Sequence, residues 1–172
     1  MGESVNVIIL NQLALNIKLI SILRSMEKTH YQVAPTKVSL LIDLNYQTRQ
    51  YKFEGISRLE DSVTFFKPVA AWLYELEEVI SNSIETSTTK QQHRFVFFLT
   101  YFNSASGKYV FEIMEILSKI NSIIEDYKFH HDGTAPFSLV VDWLFEEGDE
   151  MMKEVGEEMQ DITEFQFNFI EV

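Results

Sequence analysis

Cysteine is absent from the 172-residue chain. Disulfides, thiolate metal sites and a cysteine nucleophile are therefore excluded, and the cytoplasm is the expected compartment. Bases are scarce: 14 Lys and Arg stand against 26 Asp and Glu, a formal net charge of −12. The imbalance is concentrated, because Asp142 to Val172 carries eleven acids against the single base Lys153. Such a surface repels nucleic acid and anionic membrane and favours a basic protein partner or a divalent cation. The same charge also serves as a solvated helix face that keeps the chain dissolved. A membrane-spanning run is missing as well. Val5 to Leu23 is apolar but broken by Asn6, Asn11, Gln12, Asn16 and Lys18, and Glu3 stands where a secretory signal would be basic, so neither membrane insertion nor export is expected. Residues 1–25 read either as an amphipathic helix that packs on the domain or a partner, or as an extension upstream of a start at Met26. No internal repeat is visible.

What is present suits one domain with a sizeable core: 46% of residues are hydrophobic and 13% aromatic. The chain is organised around Arg94 to Asp126. Phe95 to Phe102 is a nearly continuous apolar run that reads as a strand buried on both faces. Val110, Ile113, Met114, Leu117, Ile120 and Ile124 recur at three- and four-residue steps, the stripe of a buried helix face. Between strand and helix lies the polar turn Asn103-Ser104-Ala105-Ser106-Gly107-Lys108. Hydroxyls at a helix start either cap free N–H groups or receive an anion, and Ser104 and Ser106 fit both roles.

The remaining segments supply the other layers. Lys37 to Leu44 and Gln50 to Ile56 predict an antiparallel hairpin across Asn45 to Thr48. Val69, Trp72, Leu73, Leu76, Val79 and Ile80 predict a helix with Pro68 near its first turn, and Ser81 to Gln92 a polar surface loop. Tyr127 to Pro136 reads as a second loop, Phe137 to Phe145 as another buried strand, the segment after Gly148 and Asp149 as a short acidic helix, and Phe165 to Ile170 as a last strand. Hairpin, then strands separated by helices, gives an α/β fold: a mixed sheet with an antiparallel N-terminal hairpin, parallel right-handed crossovers and helices packed on it, as in STAS-like regulatory domains.

Catalytic patterns are weak. Ser106-Gly107-Lys108-Tyr109 approaches a phosphate-binding loop but has Tyr109 where a magnesium-holding hydroxyl belongs and Phe102 where the first glycine belongs. His30, His93 and the pair His130-His131 stand in polar, loop-like surroundings without an acid at ligand spacing. Asp149 and Glu150 either bind a divalent cation or stabilise a helix N-terminus. A small metal-dependent enzyme built on Asp142, Asp149 and Glu150 is thus one alternative, and an unmodified scaffold another. A phosphate on one of the turn hydroxyls, Ser104 or Ser106, is the sharper expectation, since the positive end of the helix dipole tolerates an added charge of about −1.5 to −2 while a partner sees a changed surface.

Taken together, Tyr101-Phe102-Asn103-Ser104-Ala105-Ser106-Gly107-Lys108, Asp142-Trp143-Leu144-Phe145, Gly148-Asp149-Glu150-Met151-Met152 and Val155-Gly156-Glu157-Glu158 resemble the SiaC family of bacterial regulatory phosphoproteins. A weaker share runs through Ala34-Pro35-Thr36, Gly55-Ile56-Ser57, Phe65-Phe66-Lys67-Pro68-Val69 and Trp72. The likeness covers residues 34–172 and leaves 1–33 as an N-terminal extension. It implies a non-enzymatic protein, without cofactor or metal, phosphorylated on Ser104 (Ser106 as fallback) by a cognate serine/threonine protein kinase and restored by a PP2C-type phosphatase. It further implies that the unphosphorylated form binds and activates an effector such as a diguanylate cyclase, which raises cyclic di-GMP and favours biofilm. The partner surface would comprise Tyr101, Asn103, Ser106 and Lys108, joined by Asp149 and Glu150.

Overall fold

Strong alternation in the aromatic strands sets the architecture. In the computed structural model, which describes Leu13, Ile17 and residues 29–172, six strands form one sheet in the order β1 to β6. They are β1 (His30–Val33), β2 (Leu41–Asn45), β3 (Gln50–Ser57), β4 (Gln91–Phe102), β5 (Phe137–Phe145) and β6 (Asn168–Glu171). The first three pair antiparallel, and β3 through β6 pair parallel. Helices α1 (Ser62–Ser83), α2 (Ser104–His130) and α3 (Glu150–Thr163) link the parallel strands. The mixed α/β sheet with its antiparallel start is therefore as expected.

Because spatial order follows chain order, every crossover steps the same way, and the right-handed rule then sends all three helices to one face of the sheet. The expectation that Phe95 to Phe102 is buried on both faces is corrected by this. His93, Phe95, Phe97 and Leu99 are at most 2% exposed, whereas Arg94, Val96, Phe98 and Thr100 are only half-buried. The helix-facing side carries a cross-strand aromatic row. Phe53 stacks on Phe97 with ring centres 4.7 Å apart, and Phe97 on Trp143 at 5.8 Å. Each such pair adds roughly 0.5–1.5 kcal/mol to the burial itself. Against this row α2 lays Val110, Ile113, Met114, Leu117, Ile120 and Ile124, all buried, the very stripe its periodicity predicts.

Several boundaries differ from the sequence reading. β1 arises from residues assigned to the extension. β2 starts at Leu41, since Thr36 and Ser39 fold into a side-chain-bonded turn. Asp61 caps α1, accepting from the Thr64 N–H at 3.0 Å, so Pro68 lies in the second turn rather than the first. The segment predicted as a loop from Ser81 shrinks from both ends, α1 running to Ser83 and β4 beginning at Gln91, and α2 continues through His130. β6 is shifted toward the C-terminus, although Phe167 before it is buried. The two readings of residues 1–25 fall, apart from Leu13 and Ile17, outside the described residues. Among the described residues no helix is long and apolar enough to cross a membrane.

Candidate functional site

Parallel strands deliver their following helices to one edge of the sheet, and there α1, α2 and α3 all begin. Each start is capped by a side chain that accepts from the N–H three residues on: Asp61 from Thr64 at 3.0 Å, Asn103 from Ser106 at 2.9 Å and Asp149 from Met152 at 3.0 Å. Hydrogen bonding from the Thr64 side chain, then from its backbone N–H, holds the Asp61 carboxyl below its ordinary range. Caps of this kind stabilise a helix by about 1 kcal/mol each. The cap of α2 is thus Asn103, not Ser104 or Ser106 as the plain capping reading supposed.

Asn103 does more than cap. Its backbone N–H donates to the Ser57 carbonyl at 3.0 Å and its side-chain amide to the Leu59 carbonyl at 3.1 Å. The strand-to-helix corner is therefore laced to the segment that follows β3. Ser104, the first residue of α2, is exposed, and no described partner engages its hydroxyl. Ser106 is the reverse: it is 0% exposed, receives the Ser57 hydroxyl at 2.8 Å and lies 3.3 Å from the Ser62 hydroxyl. This corrects the placement of Ser106 on the partner surface and as fallback phosphoacceptor, because its hydroxyl is sealed in a three-serine cluster under the corner.

A one-residue irregularity re-aims the end of β4. Gly55 pairs with Leu99 but Ile56 pairs with Tyr101, so Thr100 is an extra residue in β4, and Gly55 takes φ 102° opposite it. The bulge turns Phe102 inward and Tyr101 outward, where Tyr101 is 42% exposed. The Arg58 guanidinium lies over the Tyr101 ring, 4.8 Å from its centre. Lys108 is exposed one helical turn beyond Ser104. Asp149, half-buried, and Glu150, exposed and 3.7 Å from Lys153, sit at the start of α3 on the same edge.

Asp142 does not join them. It points from mid-strand to the face away from the helices, only 4% exposed, held by Arg94 and by the Asn168 amide at 2.8 Å. The carboxylates of the metal-enzyme alternative are therefore not brought together, and among the described residues no group of three or more His, Cys, Asp or Glu could hold a metal. His93, expected in a loop, is buried in β4 with Nδ1 2.7 Å from the Tyr51 hydroxyl, and burial, then the charge of Arg49, depresses its pKa to about 4. The pair His130-His131 is exposed as expected, and His30 is exposed too, but His30 opens β1 and His130 ends α2 where loops were expected. Sequence reasoning missed Ser57, Arg58, Leu59 and Ser62. They reach the corner through the pairing of β3 with β4, and only a correct register could have found them.

The site is thus the edge of a mixed α/β sheet where three helix starts converge, with the exposed Ser104 at the middle one. The chain belongs to the SiaC family of regulatory phosphoproteins, which matches residues 33–172. Its fold is similar to that of apo-SiaC from Pseudomonas aeruginosa, with 18% identity, TM-score 0.61, and coverage of 82% of this chain and 98% of that one. It is likewise similar to a chain in the crystal structure of diguanylate cyclase SiaD in complex with its activator SiaC from the same organism. There the identity is 19%, the TM-score 0.62, and the coverage 83% of this chain and 99% of that one. No curated protein matches the chain in sequence.

Proposed function

We propose that this protein is a non-enzymatic partner switch of the cytoplasm, controlled by phosphorylation of Ser104. The unphosphorylated form binds and activates an effector of the diguanylate cyclase class, so that its output is cyclic di-GMP and biofilm signalling. A cognate serine/threonine kinase adds the phosphate and a PP2C-type phosphatase removes it. The observation that carries this reading is the contrast between the two serines of the corner: Ser104 is exposed and its hydroxyl meets no partner among the described residues, while Ser106 is sealed beneath it. A kinase can reach the first without unfolding anything. The phosphate adds about −1.5 to −2 charge at the positive end of α2, where the fold tolerates it, and it lands beside Tyr101 and Lys108, where a partner would read it. The relative in which SiaC is the activator of a diguanylate cyclase supports the choice of effector. Asn103 shapes the corner, and Asp149 and Glu150 extend the binding surface along the same edge.

The test combines labelling with capture. With the cognate kinase and ATP, mass spectrometry should place the phosphate on Ser104, and Ser104→Ala should abolish labelling. Ser104→Asp, or the phosphorylated protein, should retain much less purified cyclase in a pull-down than the unmodified protein. Phosphate found elsewhere, or equal retention by both forms, overturns the reading.

A further inference from the structure

We propose that Arg58 is the intramolecular receptor for a phosphate on Ser104, and that it reaches the phosphate by leaving the Tyr101 ring. This rests on the reading of Ser104 as the phosphoacceptor. Asn103 binds the carbonyls of both residues that flank Arg58, Ser57 at 3.0 Å and Leu59 at 3.1 Å, and Ser104 is the next residue in the chain. The Arg58 backbone is held from the other side too, its N–H donating to the Val38 carbonyl at 2.8 Å. Arg58 is therefore fixed at its root beside the Ser104 corner while its side chain is exposed.

The guanidinium is available. Its ring contact with Tyr101, 4.8 Å from the centroid, is an exposed cation–π contact of the weak kind. Among the described residues no carboxylate lies within ion-pair distance of Arg58 or Lys108. The carboxylate of nearby Asp61 already accepts from Thr64. A phosphate dianion accepts two-point, charge-assisted hydrogen bonds that an aromatic face does not, and the planar guanidinium fork matches two of its oxygens better than an ammonium does. Lys108, exposed one turn along α2, adds a point charge. The exchange has a surface consequence: in the unmodified protein a partner meets a Tyr101–Arg58 stack, and in the phosphorylated protein it meets a bare Tyr101 ring beside a phosphate already paired within the chain.

The test uses the full chain with phosphoserine inserted at position 104 during translation, so that no kinase is needed. Titration by 31P NMR reads the second phosphate pKa, ordinarily about 6. In the wild-type background it should lie about 0.5 below its value in Arg58→Ala, with Arg58→Lys between them. The Tyr101 ring protons should shift on phosphorylation in the wild type and not in Arg58→Ala. Identical phosphate pKa values with and without Arg58, or a depression lost in Lys108→Ala and kept in Arg58→Ala, overturn the proposal. Kinase mapping on the natural chain reads separately whether Ser104 is the acceptor, so the two failures are distinguishable.

Discussion

Two buried polar residues show how single side chains bear on stability here. His93 is packed between Tyr51 and Phe137 rings, and its Nε2 meets no partner among the described residues. Its folded pKa is depressed to about 4, first by burial and then by Arg49, whereas an unfolded chain protonates the ring near pH 6.5. Between these values the unfolded chain binds the extra proton, so stability is full above about pH 6.5, declines as pH falls, and levels off below about pH 4, a total loss on the order of 3 kcal/mol. Urea titrations at stepped pH should show this slope, and His93→Phe should flatten it while costing about 1–2 kcal/mol for the orphaned Tyr51 hydroxyl. Ser106 makes the companion case. Ser106→Ala strips the partner from the Ser57 hydroxyl and should cost about 1–2 kcal/mol in chemical denaturation. Kinase labelling at Ser104 should survive it, and loss of labelling in a folded Ser106→Ala protein would count against the assignment of Ser104.

At the scale of elements, the packing of α3 on β5 explains two motifs that are far apart in the chain. The Trp143 indole N–H donates to the Met152 carbonyl at 2.9 Å. A Cβ at Gly156 would come within 2.5 Å of two Trp143 ring atoms and 2.8 Å of Phe169, so the glycine is what lets the helix lie flat on the indole. Gly156→Ala should therefore destabilise despite its better helix propensity, by about 1–3 kcal/mol of overpacking. A thermal or urea midpoint unchanged from wild type would contradict that packing argument. The stripe of α2 was legible because helix periodicity is carried by residues three and four apart. The end of β4 was not, because one extra residue at Thr100 reverses which side chains face the core, and nothing local in Phe98-Leu99-Thr100-Tyr101-Phe102 marks it.

For the whole molecule, the distribution of charge matters more than its total. Of the eleven acids between Asp142 and Val172, Glu146, Glu147, Asp149, Glu150 and Glu171 lie where β5 and β6 end and α3 begins, on the edge where Ser104 stands. If that edge meets a basic partner surface, long-range attraction speeds encounter and salt screens it. Association rates measured by stopped flow should fall on the order of tenfold between low and high ionic strength, with dissociation rates changing much less. A salt-independent association rate would exclude the acidic end from partner encounter.

The chain by itself determined the number and order of most elements, the core face of α2 and the corner that holds Ser104. Those properties are written in short-range hydrophobic spacing and in turn residues. Only the tertiary structure decided that α1, α2 and α3 share one face of the sheet, that Ser106 is sealed while Ser104 meets no partner among the described residues, that His93 is buried and that Asp142 stands apart from Asp149 and Glu150. It also brought Arg58 to the corner. Each of these depends on strand register and on the direction of successive crossovers, which set contacts between residues some 40 to 50 positions apart, as between Ser57 and Ser106 or Arg94 and Asp142, and no local spacing encodes such pairs.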